Sequence, residues 1–152
     1  TLAAALIREL SSRGLTVNSI KHAHHGVDVD QPGTDSFKHR DAGAREVILA
    51  GGRRFAIMHE LRGAEEPTLD ELLARLGPCD WVVVEGFKTH PHPKIEVHRQ
   101  ESARAPLYPE DDSIIALVAD YVVDYAADFP GPVFDVNNVP AIADFILSPG
   151  TS

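Results

Sequence analysis

The sequence contains a single cysteine, Cys79, in 152 residues. One cysteine cannot form an internal disulfide, which excludes a disulfide-stapled secreted scaffold and favours a reducing compartment. Cys79 follows Gly-Pro and precedes an apolar segment, as is typical of a structural thiol. No Ser-His-Asp or Cys-His pattern indicates a nucleophilic triad, so thiol or serine hydrolase chemistry is not expected.

Long hydrophobic runs are also missing, since no segment approaches the roughly 20 apolar residues that span a bilayer. No basic leader precedes an apolar stretch, so the sequence shows no secretory signal. Positive charge is scarce, with 14 Lys and Arg against 23 Asp and Glu and a net charge of −9. Nucleic-acid binding needs a basic surface, whereas backbone amides and one or two cations can hold a nucleotide. We therefore expect a cytoplasmic protein that binds neither nucleic acid nor membrane.

Hydrophobic residues make up 43% of the chain, which at this length predicts a single domain, 1–152, with a substantial core. Leu2, Leu6 and Leu10 recur at helical spacing before Gly14, and this pattern predicts a first helix. Capping signals predict three more helices: one from Thr34 or Asp35 to Gly43, one from the capping box Thr68–Glu71 to Leu76, and a last one capped by Asn137 or Asn138.

Short apolar segments between these helices predict strands. Two of them flank Gly51-Gly52 and predict a hairpin. The alternation of helices and strands predicts an α/β fold, with a mixed, mostly parallel sheet, helices on both faces and an antiparallel hairpin. In such sheets ligands bind outside the carboxyl ends of the strands. The predicted strands are Leu15–Ile20, Val47–Ala50, Phe55–Met58, Trp81–Val84, Ile95–His98, Ile114–Ala119 and Val133–Val136, of which Trp81–Val84 and Ile114–Ala119 are continuously apolar, as in strands buried on both faces.

The strand Trp81–Val84 runs directly into Glu85-Gly86-Phe87-Lys88. A carboxylate at the carboxyl end of a buried strand is well placed to orient Mg²⁺, because hard cations take oxygen ligands. Gly86 would let the backbone pass close to a phosphate, since it carries no side chain. The alternative is a charged residue that simply ends a strand.

Two further polar segments also follow or lead into predicted strands. The histidines and carboxylates of the first can bind a metal ion, can form a switch loop that contacts Mg²⁺ and phosphate, or can be solvated. In the second, the prolines favour a stiff, extended connection, and its two histidines can bind metal or lie on a surface loop. Lys94 and Arg99 can meet phosphate or an anionic partner, or remain solvated. The first segment is Lys21-His-Ala-His-His25 with Asp28, Asp30, Gly33, Asp35 and Arg40, and the second is Thr89-His-Pro-His-Pro93 before Lys94–Arg99.

Together these segments resemble the molybdopterin-guanine dinucleotide biosynthesis adapter family, MobB. Two motifs carry the resemblance, and the tail of the chain fits as well, so that it runs from end to end. The first motif is Ile20–His25 with Asp28-Val-Asp30, Pro32-Gly33, Asp35-Ser36, Arg40 and Ala42–Ala44; the second is Glu85–Lys88 with Pro93–Val97 and Arg99; the tail is Phe134–Val136 with Ala143–Ile146.

The resemblance implies a P-loop NTPase-like fold that binds GTP with Mg²⁺ and has weak GTP hydrolysis at most. It implies an adapter that assists the molybdenum cofactor guanylyltransferase and related cofactor-assembly proteins, and a homodimer with an extended sheet. The strand-end positions and the resemblance together give these candidate roles: metal-side acids Glu85, Asp28, Asp30 and Asp35; nucleotide contacts Lys21, Arg40 and Lys88, with Gly86 giving clearance; and Asp120, after the strand Ile114–Ala119, as an acceptor for a guanine edge.

The family pattern opens with a strand and a G-x-x-G-x-G-K-T-T-L type loop, of which this sequence carries Thr1-Leu2. Thr1 matches the second threonine of that loop, next to the hydroxyl that binds Mg²⁺, and is therefore also a candidate nucleotide contact. We expect the domain 1–152 to be N-terminally incomplete. Three alternatives stay open: a nickel metallocentre-assembly GTPase that uses His22, His24 and His25, a protein–protein adapter without a working nucleotide site, and an ATP-dependent ligase of the same fold.

Overall fold

The computed structural model describes residues 1–23, 26–102 and 104–150. The chain divides into two compact units, unit 1 with residues 1–21 and 76–152 and unit 2 with residues 22–75. No helix in the described ranges is long and apolar enough to cross a membrane. The elements in chain order are α1 Leu2–Ser12, β1 Val17–Lys21, α2 Asp35–Asp41, β2 Glu46–Ala50, β3 Phe55–His59, α3 Leu69–Leu73, β4 Trp81–Glu85, β5 Lys94–His98, β6 Ile114–Ala119, β7 Val133–Asp135 and α4 Val139–Ile146.

Unit 1 contains two parallel sheets. In the first, β1 pairs with β4 so that Val17 lies opposite Trp81 and Lys21 opposite Glu85. In the second, β6 lies between β5 and β7, again with all strands parallel. The carboxyl ends of paired strands therefore coincide within each sheet. The α/β fold predicted from the sequence is confirmed, while the prediction of one domain stays a prediction.

Helices α1 and α4 cover one side of this unit. Thr1 caps α1, and Gly14 (φ +85°) lets the chain turn back into β1, because glycine adopts positive φ without strain. Leu10 and Ile142 are fully buried between the helices and the strands. Arg13, at the end of α1, forms an ion pair with Asp144 of α4, with Arg13 Nη1 2.6 Å from Asp144 Oδ1. The predicted first and last helices are confirmed.

Strand β6 is buried on both faces, as its apolar sequence predicts. Val118 packs under α1 and α4, and Leu117 packs on the opposite side against Phe129. Strand β4 differs, because Trp81 and the three valines that follow are only half-buried. Within the described residues β4 is hydrogen-bonded to β1 alone, so its other edge is not covered by a strand.

The start of β4 is tied to the start of β1 by Asp80. Its carboxylate accepts hydrogen bonds from the backbone N–H and the hydroxyl of Thr16, both at 2.7 Å. The backbone N–H of Asp80 in turn donates to the Thr16 carbonyl at 3.0 Å. The backbone hydrogen bond from Thr16 lowers the pKa of Asp80, because it stabilises the carboxylate. This closed set of bonds sets the register of the two strands.

Unit 2 consists of α2, the β2–β3 hairpin and α3. The hairpin is antiparallel, as predicted, and it buries Val47 and Met58. Thr34 caps α2 through its side chain, and the capping box at the start of α3 is present. Helix α3 ends at Leu73, three residues before the predicted end at Leu76, with Gly77 and a proline close behind.

We expect Leu10→Ala to lower the free energy of unfolding by about 2–5 kcal/mol, because it leaves a cavity in the core under α1. Urea unfolding followed by far-UV circular dichroism measures the change. Val122→Ala is the matched control, since Val122 is 91% exposed and should change stability by less than about 0.5 kcal/mol. Equal urea midpoints for the two variants would contradict the described core.

Candidate functional site

Lys21 and Glu85 lie side by side at the carboxyl ends of β1 and β4. The parallel register pairs them directly, and Lys21 Nζ lies 4.0 Å from Glu85 Oε2. Both side chains are exposed, with 69% and 47% of their surface accessible. An ion pair this open to water contributes little to stability, so both groups can exchange partners readily. This is the strand-end position at which α/β proteins bind ligands.

The backbone turns sharply directly after Glu85. Gly86 has φ +102° and Phe87 has φ +54°, so two successive residues adopt the left-handed region. Glycine does so without cost, whereas a phenylalanine there is uncommon and strained. Lys88 follows in an exposed turn. The sequence Glu-Gly-Phe-Lys therefore forms a short left-handed corner between a strand-end acid and an exposed cation.

Thr1 and Asp120 are both already engaged in local hydrogen bonds. Thr1 Oγ1 accepts from the backbone N–H of Ala4 at 3.3 Å and so caps α1. Asp120, just after β6, accepts from the backbone N–H of Gln100 at 2.9 Å and lies 3.4 Å from Arg99. These bonds fasten the carboxyl end of β5 to that of β6. A guanine edge would have to compete with them for the Asp120 carboxylate.

In unit 2, Arg40 binds carboxylates on three sides. Its guanidinium donates to Asp30 and Glu60, and it lies 3.5 Å from Asp28. The Arg40 and Asp30 side chains are only 13% and 4% exposed. Hydrogen bonding from Arg40 lowers the pKa of Asp30, because it favours the charged form. Two residues with separate predicted roles, one toward phosphate and one toward metal, are thus paired with each other.

Asp28 and Asp35 differ from Asp30 in being open to solvent, at 67% and 89% exposure. Asp35 begins α2 and lies 3.3 Å from Lys38, one turn along the helix.

His22 Nε2 lies 2.6 Å from Glu66. In the ranges that the structure covers, no three His, Cys, Asp or Glu side chains are arranged to hold a metal ion. The other two histidines of the nickel alternative, His24 and His25, lie outside the described residues.

A buried polar network on β5 was not predicted. Glu96 accepts from the backbone N–H groups of Leu107 and Tyr108, at 2.7 and 3.1 Å. His98, two residues along the same face, is hydrogen-bonded to the Tyr125 hydroxyl at 2.7 Å. Burial, with a hydrogen bond to Tyr121, raises the pKa of Tyr125 to about 12. The sequence feature that could have indicated this network is the alternation of polar and apolar residues in Lys94–His98, which places the polar residues on one face of the strand.

Lys94 is also paired inside the fold. Its ammonium donates to Asp111 at 2.9 Å and to Ser113. The Ser113 hydroxyl and Lys94 lower the pKa of Asp111 to about 2.

Just before β5, His90 Nδ1 lies 3.1 Å from His92 Nδ1. Burial lowers the pKa of His92, and the Lys94 and His90 charges lower it further, so its ring stays neutral to lower pH than usual.

The Arg40–Asp30 pair predicts an acid-sensitive unit 2. The pKa of Asp30 is lowered in the folded state, so the stabilisation is complete above the unfolded carboxyl pKa of about 3.9 and is lost as pH falls through the folded value. Asp30→Asn should therefore be less stable than wild type at pH 7 and lose less stability between pH 5 and 3. Urea unfolding at each pH measures this, with exposed Asp35→Asn as the control. An unchanged acid response in Asp30→Asn would contradict it.

Residues 1–120 match the family model described as MobB, molybdopterin guanine dinucleotide synthesis protein B. A molybdopterin-guanine dinucleotide biosynthesis adapter protein of Haemophilus influenzae is 43% identical over 148 residues, covering 96% of this chain and 79% of the relative. The adapter protein of Escherichia coli K12 is 38% identical over 154 residues, covering 97% and 83%.

Solved structures agree with this fold. A crystal structure of molybdopterin-guanine biosynthesis protein B superposes with a TM-score of 0.69 at 27% identity, covering 96% of this chain and 88% of the other. Bacillus subtilis MobB gives a TM-score of 0.69 at 20% identity, covering 96% and 86%, and supports the fold alone. The motifs around Lys21–Arg40 and Glu85–Arg99 lie within the matched residues. The chain belongs to the MobB family.

Proposed function

We propose that this protein is a cytoplasmic GTP-binding adapter in the synthesis of molybdopterin guanine dinucleotide, where it assists the molybdenum cofactor guanylyltransferase. Family membership supports the pathway, since relatives bear the adapter name. The observation that carries the nucleotide proposal is the Lys21–Glu85 pair at the carboxyl ends of two adjacent parallel strands. An exposed cation and an exposed carboxylate at this position suit a phosphate and its metal ion, respectively.

The residues at this corner fit Mg²⁺ and phosphate chemically. Glu85 would hold Mg²⁺, directly or through a water, because it presents carboxylate oxygens to solvent. Gly86 adopts φ +102° and carries no side chain that could crowd a phosphate beside the acid. Lys21, which pairs with Glu85, and Lys88, which follows the turn in the sequence, are exposed cations and would contact phosphate oxygens. When bound, Mg²⁺ neutralises phosphate charge.

The remaining candidate residues lie in unit 2 or at the start of α1. Arg40 and Asp30 would reach a nucleotide or metal only after their mutual bonds open, and while these bonds are closed they tie the loop that carries Asp28 to α2. We therefore propose the exposed Asp28 and Asp35, rather than Asp30, as the metal-binding acids of unit 2. Thr1 would contact phosphate from the start of α1, where the positive end of the helix dipole favours anions.

The nucleotide proposal predicts a metal-specific defect in Glu85→Gln. With Mg²⁺ present we expect GTP affinity to fall about tenfold or more, because a charged oxygen ligand is lost. Without Mg²⁺ the affinity should be unchanged or slightly higher. Isothermal titration calorimetry on the full-length protein, with and without Mg²⁺, measures both.

Glu110→Gln is the matched control, since Glu110 is an exposed acid on the short 3₁₀ helix Tyr108–Glu110, away from this corner in the sequence. It should bind GTP as wild type does. Wild-type affinity in Glu85→Gln, or no GTP binding by the full-length protein, would overturn the proposal.

We also propose that the protein dimerises through its hairpin. Opposite residues of an antiparallel pair share a face, so Ile48 and Ile57 form one apolar surface together with Phe55. These three side chains are 54–69% exposed. In the part of the chain that the structure describes, β2 and β3 pair only with each other. A two-stranded hairpin with an exposed apolar face is only marginally stable alone, and the same face of a second copy would bury that surface symmetrically.

The dimer proposal predicts that Ile48→Asp/Ile57→Asp shifts the protein to a monomer, because charges buried at an apolar interface remain unpaired. We expect self-association to weaken by at least about 100-fold. Light scattering coupled to size-exclusion chromatography, over a concentration series, measures the mass. Val122→Asp, at a 91% exposed position outside the hairpin, should stay dimeric. A wild-type monomer, or a double variant that remains dimeric, would exclude the hairpin interface.

A further inference from the structure

The segment His90-Pro91-His92-Pro93 is held rigidly before β5. The prolines fix their own φ and restrict the residue before each of them. At one end the backbone N–H of His90 donates to the Phe87 carbonyl at 3.1 Å. At the other end the backbone N–H of Lys94 donates to the Ser113 carbonyl at 2.8 Å. The positions of the two imidazole rings are therefore set largely by the backbone.

The two rings present the same atom to one another. Nδ1 of His90 lies 3.1 Å from Nδ1 of His92, with ring centroids 5.2 Å apart and planes tilted by 42°. Two imidazole nitrogens bound to one ion at about 2.0–2.1 Å lie roughly 2.9–3.4 Å apart for coordination angles between 90° and 110°. The observed separation falls in this range, so a single ion could be chelated with small ring movements.

The surroundings of the pair suit a metal ion held by two neutral imidazole rings. Imidazole nitrogen favours borderline ions such as Zn²⁺, Ni²⁺ and Cu²⁺ over Mg²⁺, which favours oxygen. Lys94 is the nearby cation that would oppose a metal ion, but its charge is balanced by Asp111 at 2.9 Å. Both rings are half-buried, so they lose less side-chain freedom on binding than surface histidines would.

We propose that His90 and His92 form a two-histidine binding site for a first-row transition-metal ion, separate in its chemistry from any Mg²⁺ at Glu85. Two protein ligands leave the remaining positions to water or another exchangeable ligand, so the ion is held reversibly. The site does not depend on GTP binding or on the dimer. A direct hydrogen bond between the rings, with one donating and one accepting, is the arrangement without the ion.

Metal titration of the full-length protein, after removal of any affinity tag, tests the site. We expect Zn²⁺ and Ni²⁺ to bind at one ion per chain, and His90→Ala/His92→Ala to weaken this by at least about tenfold. Cu²⁺ electron paramagnetic resonance should show two equivalent nitrogen couplings that the double variant loses. A variant with alanine at His22, His24 and His25 is the matched control and should retain the ion.

His92→Asn separates chelation from hydrogen bonding, because its amide can still bond to His90 but is a poor ligand for these ions. Loss of binding in His92→Asn, with unchanged circular dichroism, supports the site even if the double alanine variant is unstable. The proposal is overturned if wild type binds no ion, if His92→Asn binds as wild type does, or if the control variant loses the ion instead.

Discussion

The hydrogen bonds between Asp80 and Thr16 are the constraint on which the strand-end site depends. They fix the first residue pair of β1 and β4, and with it every later pair, so that Lys21 meets Glu85. A slip of one residue would send each side chain to the opposite face of the strand and break the pair. The pairing of Lys21 with Glu85 at the carboxyl ends is thus determined at the amino ends, five residues earlier, by the Asp80 carboxylate.

In unit 2 the Arg40–Asp30 ion pair is largely buried, whereas the Lys21–Glu85 pair of unit 1 is exposed. The Arg40 guanidinium and the Asp30 carboxylate are stable together inside the fold because each supplies the other's hydrogen bonds. Separating them would leave a desolvated charge behind, which is costly. Any contact of either residue with a nucleotide would therefore require a second arrangement of the loop that holds Asp28. Asp28 and Asp35 are exposed, so moving them involves no such desolvation cost.

The sequence alone was sufficient for features with local causes. Caps at Thr34 and Thr68, helical spacing in α1 and the apolar run of β6 all identified their elements. The position of Glu85 at the end of a strand was also predicted correctly, while its metal-binding role stays a prediction. Features decided by distant residues were not predictable. Glu60 joins Arg40 from twenty residues away, and Glu96 finds its donors in a loop beyond β5. Such pairings depend on the folded path of the chain, which periodicity does not report.

The two proposed ion sites of unit 1 use donors of different hardness within one short stretch of sequence. Glu85 offers only oxygen, whereas His90 and His92 offer only nitrogen. Mg²⁺ binds imidazole poorly, and Zn²⁺ or Ni²⁺ binds two imidazoles better than a single exposed carboxylate. Abundant Mg²⁺ would therefore not displace a transition metal from the histidines. A trace transition metal would likewise bind the histidines in preference to the acid, so ligand chemistry alone can keep the proposed site at Glu85 available for Mg²⁺.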